Sequence, residues 1–244
     1  QLTKIPEVTI IKNGQRSVCL IGYLGFMATI AGFNPSGVFA GVLDSQTGTW
    51  HSGWVGRRSY MMDLRYALEN RTTLDDVGAF MIAPTNEYTT NHLIFVSDPN
   101  TSKVIENNFS GNGTAMRRAL RTAESELNDG VPWGIDNAIG CVNAFMLKGN
   151  HDNFTGAAFN TQRWETIRRE ILARGNVVTW EDLRAIATYH NENPGRQDHG
   201  DIYSGANQNI ILFEPGTKRL EIFFKPKTGD LPDEPVLVPV PVVF

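Results

Sequence analysis

PEVTIIKNGQRSVCLIGYLGFMATIAGFNPSGVFAGVLD, residues 6–44, reads as four consecutive strands. EVTIIK (7–12) and SVCLI (17–21) are rich in β-branched and aliphatic residues, and the Asn13-Gly14 pair between them is a strong hairpin signal. From 22 to 44 glycine recurs at Gly22, Gly25, Gly32, Gly37 and Gly41, too often for a stable helix. Val38, Phe39, Val42 and Leu43 suit a buried strand, and Asn34-Pro35-Ser36-Gly37 is a turn between two apolar runs. These strands form the core of a sheet whose backbone is approached closely.

Downstream of this block the period changes. Residues 58–70 place Tyr60, Met61, Leu64 and Leu68 on one helical face, and Thr72 or Thr73 caps a second helix with Asp75 and Asp76 in its first turn. Residues 92–97 and 103–107 form a hairpin about Asp98-Pro99-Asn100. The charged, amphipathic piece 115–128 is predicted as a surface helix, and 138–147 as a strand. A helix over 161–174 turns Trp164, Ile167, Ile171 and Leu172 inward. Thr179-Trp180-Glu181-Asp182 opens another in the manner of a capping box and runs to about Tyr189. Residues 190–204 are a polar loop, and 207–214 with 219–225 a final hairpin. Residues 1–230 read as one domain, without an internal repeat or linker. The tail 231–244 alternates Val and Pro, so it is extended and lies on an edge or along a surface. Hairpins separated by helix pairs predict an α+β architecture, two mainly antiparallel sheets packed face to face with helices outside.

Composition narrows the function classes. Of 244 residues, 41% are hydrophobic and 20% charged, as in a soluble globular domain, and a net charge of −4 gives no basic footprint for nucleic acid. No apolar run approaches the roughly 18 to 20 residues that span a bilayer. The start, QLTKIPEVTI, lacks both a signal-peptide pattern and a Met, which suggests a processed or trimmed chain. Cys19 and Cys141 lie in apolar, strand-like surroundings that suit free structural thiols, with a mutual disulfide as the alternative. Five glycosylation sequons, at Asn70, Asn100, Asn108, Asn112 and Asn153, tilt the reading toward a secreted or lysosomal protein.

Familiar catalytic signatures are missing. The five histidines show no metal-ligand spacing, so no metal or other cofactor is expected, and His190 and His199 share a loop with Glu192 and Asp198 that reads as solvated surface. The glycine-rich block is neither a phosphate loop nor a dinucleotide fingerprint, and no GxSxG elbow occurs. What remains is CVNAFMLKGNHDNFTGAAFNTQRWETIR, residues 141–168. Its apolar run breaks into Gly149-Asn150-His151-Asp152-Asn153, and Arg163 then opens a helix. An Asn after a strand and an Arg at a helix start can share a pocket that holds a carbonyl, a carboxylate or an oxyanion. The plainer alternative is a surface loop followed by a helix.

The run QLTKIPEVTIIKNGQRSVCLIGYLGFMATIAGFNPSG resembles a segment of the N-terminal-nucleophile cysteine amide hydrolases: acid ceramidase, N-acylethanolamine acid amidase, bile-salt (choloylglycine) hydrolases and penicillin acyltransferases. So does the thirteen-residue spacing of Asn150 and Arg163, and the order of elements follows the family over nearly the whole chain. The resemblance implies a four-layer αββα sandwich and hydrolysis of a linear N-acyl amide through an acyl-enzyme. It gives Asn150 an oxyanion role and makes Arg163 the charge that supports the pocket. Asn34 and His151 are further candidates for substrate or oxyanion contacts, and Tyr23, Phe26, Phe33 and Trp54 for an acyl channel. The family's nucleophile is a cysteine freed at an N-terminus by self-cleavage; that block is not in this sequence, and Cys19 lies within a later strand. The resemblance therefore implies a partner, an upstream fragment of the same precursor carrying the cysteine. An acyltransferase or peptidase of the same superfamily, or a non-catalytic binding protein on the same fold, are the alternatives.

Overall fold

Alternation along one strand sets up the layers. In β2 (Val18–Tyr23), Val18 and Leu20 face one way, while Cys19 and Ile21 face the other, and all four are buried. A strand with two buried faces needs a cover on each side. The computed structural model describes residues 5–45, 55–108, 117–150, 154, 158–175, 177–191, 200–228 and 231–244. It builds those covers from two helices on one side and a second sheet on the other.

The first sheet is an antiparallel meander in chain order: β1 (Pro6–Ile11), β2, β3 (Ala31–Phe33), β4 (Phe39–Leu43), β5 (His92–Ser97), β6 (Ser102–Asn108) and β7 (Arg117–Arg121). Close approach explains the glycines. A Cβ on Gly32 would stand 2.5 Å from the Cys19 carbonyl oxygen, and one on Gly37, at φ +83°, 2.4 Å from that of Pro215.

Helices α1 (Tyr60–Asn70) and α2 (Leu74–Ile82) cover one face. Leu64, Leu68, Leu74, Val77 and Met81 pack on Val18, Leu20, Val38, Ala40, Ile94 and Ile105. Thr73 is the cap of α2, accepting from the Asp76 N–H at 3.1 Å. The other face meets the second sheet, β8 (Asn209–Glu214), β9 (Arg219–Phe224) and β10 (Val238–Pro239), in the order β10-β9-β8. Leu220 and Ile222 pack there on Cys19, Ile21 and Phe33. The Pro-rich tail supplies β10 at the β9 edge, and Val240, Val242 and Phe244 run on into this core.

Outside the second sheet lies α4 (Trp180–Ala187), and α3 (Ala158–Arg174) packs beside α4 and, through Trp164, Ile167 and Ile171, on Val131, Trp133 and Phe154. Thr179 and Asp182 form the expected capping box of α4. Ala187 packs on Tyr203, Ile210 and Phe223, and the Trp180 indole and Arg184 guanidinium reach Glu221 at 3.1 and 2.6 Å. Two antiparallel sheets between helix pairs make the α+β sandwich.

Three expectations are corrected. Of the predicted 115–128 helix, the described part, 117–128, is no helix: it contains β7, paired to β6 with Ile105 opposite Leu120. Sheet pairing overrides helical periodicity there because Leu120 and Arg121 must face opposite sides. Residues 138–147 form no regular strand, only an isolated bridge between Leu127 and Leu147, because buried side chains bond their backbone groups instead. Leu172 is exposed; of the four residues expected to face inward, Trp164 is fully buried and Ile167 and Ile171 are partly buried.

Candidate active site

The irregular segment from Gly140 to Asn150 is the centre of the site. Strand alternation on β6 sends Val104, Glu106 and Asn108 to the face away from the helices, while Ile105 packs on the helices and Asn107 donates to Met81 O. Glu106 is fully buried. Its carboxylate accepts from the Arg121 Nε at 2.9 Å, from the backbone N–H of Met146 and Leu147 at 3.1 and 3.2 Å, and from the Asn150 Nδ2 at 3.0 Å. Arg121 also donates to the Gly140 carbonyl at 2.7 Å. One buried ion pair thereby satisfies backbone groups that a strand would have paired in a ladder.

Asn150 closes this segment, its N–H donating to the Leu147 carbonyl at 2.9 Å. Its side-chain oxygen accepts from the Asn108 Nδ2 at 3.0 Å, so Glu106 and Asn108 hold the two ends of the amide. Arg163 comes from the first turns of α3, which is pinned by Trp164: the indole donates to the Pro132 carbonyl and its ring packs on Trp133 at 4.6 Å. The Arg163 Nη2 donates to Asn143 Oδ1 and Asn160 Oδ1, both at 2.8 Å. Asn160 also donates to the Asn143 carbonyl, and the Asn143 amide to the Asp44 carbonyl at the end of β4. Asn150 and Arg163 thus meet the same segment through different partners.

Cys141 lies in that segment within the fields of Arg121, Glu106 and Arg163. Burial pushes its thiol up to about 12, against the pull of the two arginines. Burial likewise raises Cys19, on the inner face of β2, to about 12, so neither is a poised nucleophile. Both are free thiols. Burial lowers the Arg163 pKa, and the neighbouring Cys141 opposes that shift.

The other candidates fall elsewhere. Asn34, a candidate for substrate or oxyanion contacts, clasps a turn: its Nδ2 donates to the Leu68 and Arg71 carbonyls at 2.9 and 2.7 Å, which uses both amide hydrogens. Its Oδ1 accepts from the N–H of Ser36 and Val38. Phe33 is corrected from channel to core, its ring packed between the sheets on Phe213 and Phe244. Tyr23 is half-buried at the end of β2, and Phe26 is exposed in the following turn. His151 and Trp54 lie outside the described residues, as do the sequon residues Asn112 and Asn153. Asn108 is fully buried, so its side chain is no accessible glycan acceptor; Asn70 is half-buried and Asn100 exposed. Among the described residues no three His, Cys, Asp or Glu side chains converge to hold a metal ion, and no helix is long and apolar enough to cross a membrane.

Glu106, Arg121, Asn143 and Asn160 escaped the sequence reading. The signal for Glu106 was there: in KVIENN, Glu106 and Asn108 keep the alternation of the buried Val104, so an acid was bound to fall inside.

Helices outside two facing antiparallel sheets form an α+β sandwich, with Asn150 and Arg163 both bonded around one irregular segment. No protein-family model matches the sequence, and no curated protein matches it. Among solved structures, the chain is similar to the Caenorhabditis elegans N-acylethanolamine-hydrolyzing acid amidase ortholog, with a TM-score of 0.58 and 14% identity over 88% of this chain and 82% of that one. Two mutants of conjugated bile acid hydrolase from Clostridium perfringens also align, with TM-scores of 0.46 and 0.49, identities of 14% and 11%, and coverage of 90% and 93% of this chain and 80% and 82% of theirs. The fold assignment rests on the similarity to the nematode amidase.

Proposed function

We propose that this chain is the larger part of a cysteine amidase that hydrolyses a linear N-acyl amide, with the nucleophile supplied by a separate upstream segment of the same precursor. The observation that carries this reading is the Asn150 amide, buried and held at both ends beside a segment that Arg163 also braces. In the reaction, the N-terminal cysteine sulfur bonds to the amide carbonyl carbon, and the carbonyl π pair moves to oxygen. Asn150 donates to that oxyanion, an interaction worth about 3 kcal/mol in comparable sites. The cysteine's own α-amine takes the thiol proton and passes it to the leaving amine as the C–N bond breaks. Water then attacks the thioester, releasing the acid and restoring the thiol. Arg163 supplies positive charge to the pocket, and the thiols of buried Cys19 and half-buried Cys141, both raised in pKa, stay out of the chemistry.

A secreted or lysosomal location goes with this reading. Asn100, exposed in the turn between β5 and β6, supports it as an accessible glycan acceptor.

Intact-mass analysis of the purified, denatured precursor tests the proposal. A second polypeptide beginning with Cys is expected, and its replacement by Ala should abolish hydrolysis of a long-chain N-acyl aminocoumarin. A precursor that stays a single chain with no N-terminal cysteine, and is inactive on that amide, overturns it. Acyl transfer to an added amine in place of hydrolysis would reassign the enzyme as an acyltransferase.

A further inference from the structure

The amide of a donor asparagine can flip, and a flipped Asn150 would offer oxygen where the reaction needs N–H. The structure holds one orientation. A carboxylate only accepts, so the contact from Glu106 Oε2 at 3.0 Å fixes the Asn150 nitrogen on that side. Asn108, two residues along the same strand face, donates to the Asn150 oxygen at 3.0 Å and fixes the other end. Of the two hydrogens on the Asn150 nitrogen, Glu106 takes one and thereby sets the direction of the other.

A bare carboxylate there would repel a developing oxyanion. Arg121, with Nε 2.9 Å from Glu106 Oε1 and both side chains buried, cancels that charge at its source. Backbone N–H groups of Met146 and Leu147 bond the same carboxylate and tie it to the segment that carries Asn150. The group that aims the amide is therefore anchored to the loop it serves.

We infer that Glu106 is the positioning residue for Asn150, acting with Asn108 on the opposite end of the amide and with Arg121 as its neutralising partner. This rests on the oxyanion role proposed for Asn150. The test is a double-mutant cycle in the full precursor, reading kcat per titrated active cysteine, KM and Tm on the aminocoumarin amide. Asn150→Ala is expected to lower kcat about a hundredfold. Glu106→Gln should lower kcat between about tenfold and a hundredfold with little change in KM, because the amide is misaimed. In the Asn150→Ala background, Glu106→Gln should change kcat by less than about twofold.

Equal losses from Glu106→Gln in both backgrounds would overturn the positioning role and leave a merely structural one. An Asn150→Ala variant with native kcat would overturn the oxyanion reading instead, so the two failures are distinct. Should Glu106→Gln fail to fold, Asn108→Ala enters the same cycle, since it removes a neutral hydrogen bond and no charge. Additive loss from Asn108→Ala overturns the inference in the same way.

Discussion

Arg121 on β7 reaches diagonally across to Glu106 on β6, and neither side chain is more than 2% exposed. The pair joins the edge of the seven-stranded sheet to the irregular segment below it. Glu106 bonds the N–H groups of Met146 and Leu147, and Arg121 the carbonyl of Gly140.

Removing one partner leaves a buried charge without compensation. Arg121→Met is expected to destabilise the fold by about 3–5 kcal/mol in urea unfolding. Pairing it with Glu106→Leu removes both charges, yet it should recover less than half of that loss. The backbone groups of residues 140, 146 and 147 would still lack partners, at about 1–3 kcal/mol each. A double variant as stable as the native chain would mean that the segment finds other bonds.

Asn34 makes four hydrogen bonds that tie the β3–β4 turn to the end of α1. Asn34→Ala should therefore cost about 2–3 kcal/mol of stability by loss of buried partners. The active-site-titrated kcat of the folded precursor should stay unchanged. A hundredfold fall in kcat with native Tm would restore Asn34 to the oxyanion hole.

The sheet was legible where alternation and turn chemistry agree. From 6 to 44 both point to antiparallel strands, and the glycines mark close approaches. Segments 115–128 and 138–147 misled because their structure is dictated from elsewhere: β6 recruits the first as a partner strand, and Glu106 and Arg121 satisfy the backbone of the second. Strand alternation marks Glu106 as inward-facing, but no local pattern encodes which distant backbone groups its carboxylate bonds. Asn150 stands out as a candidate from its loop and its spacing to Arg163, but the residues that bond its amide come from a strand some forty positions earlier in the chain. Asn108 stood out in sequence as a sequon, and only the fold shows it facing inward.

The two thiols give a kinetic test of the core. With Cys19 and Cys141 both raised to about 12 by burial, the thiolate fraction at pH 8 is negligible. Alkylation by iodoacetamide at pH 8 should be slow for both in the folded chain and rapid in urea. Mass spectrometry should show an N-terminal cysteine of the precursor reacting first. Fast native labelling of Cys141 would make it, and not an upstream residue, the reactive thiol.

His92 predicts how the fold responds to acid. It is fully buried, stacked on Tyr60 at 4.0 Å with the Tyr88 ring edge-on at 5.2 Å. Its Nδ1 lies 3.0 Å from the Thr90 carbonyl, and its Nε2 lies 2.9 Å from the Asn107 amide nitrogen, which also donates to Met81 O. That pattern fits the neutral ring protonated on Nδ1. Burial lowers its pKa from 6.5 to about 3, opposed by the Thr90 bond and aided by the nearby Arg118. Between these values the unfolded chain binds a proton that the folded chain refuses. The contribution is therefore complete above pH 6.5 and is lost as pH falls toward 3. By pH 4.5 the loss is about 2–3 kcal/mol, from 1.36 kcal/mol per pH unit. His92→Gln keeps an acceptor for Asn107 without a titrating ring. Its stability at pH 7 should be lower, but it should fall less steeply between pH 6.5 and 4.5 in urea unfolding at stepped pH. Parallel curves for the two proteins would show that His92 is not the group that sets the acid limit.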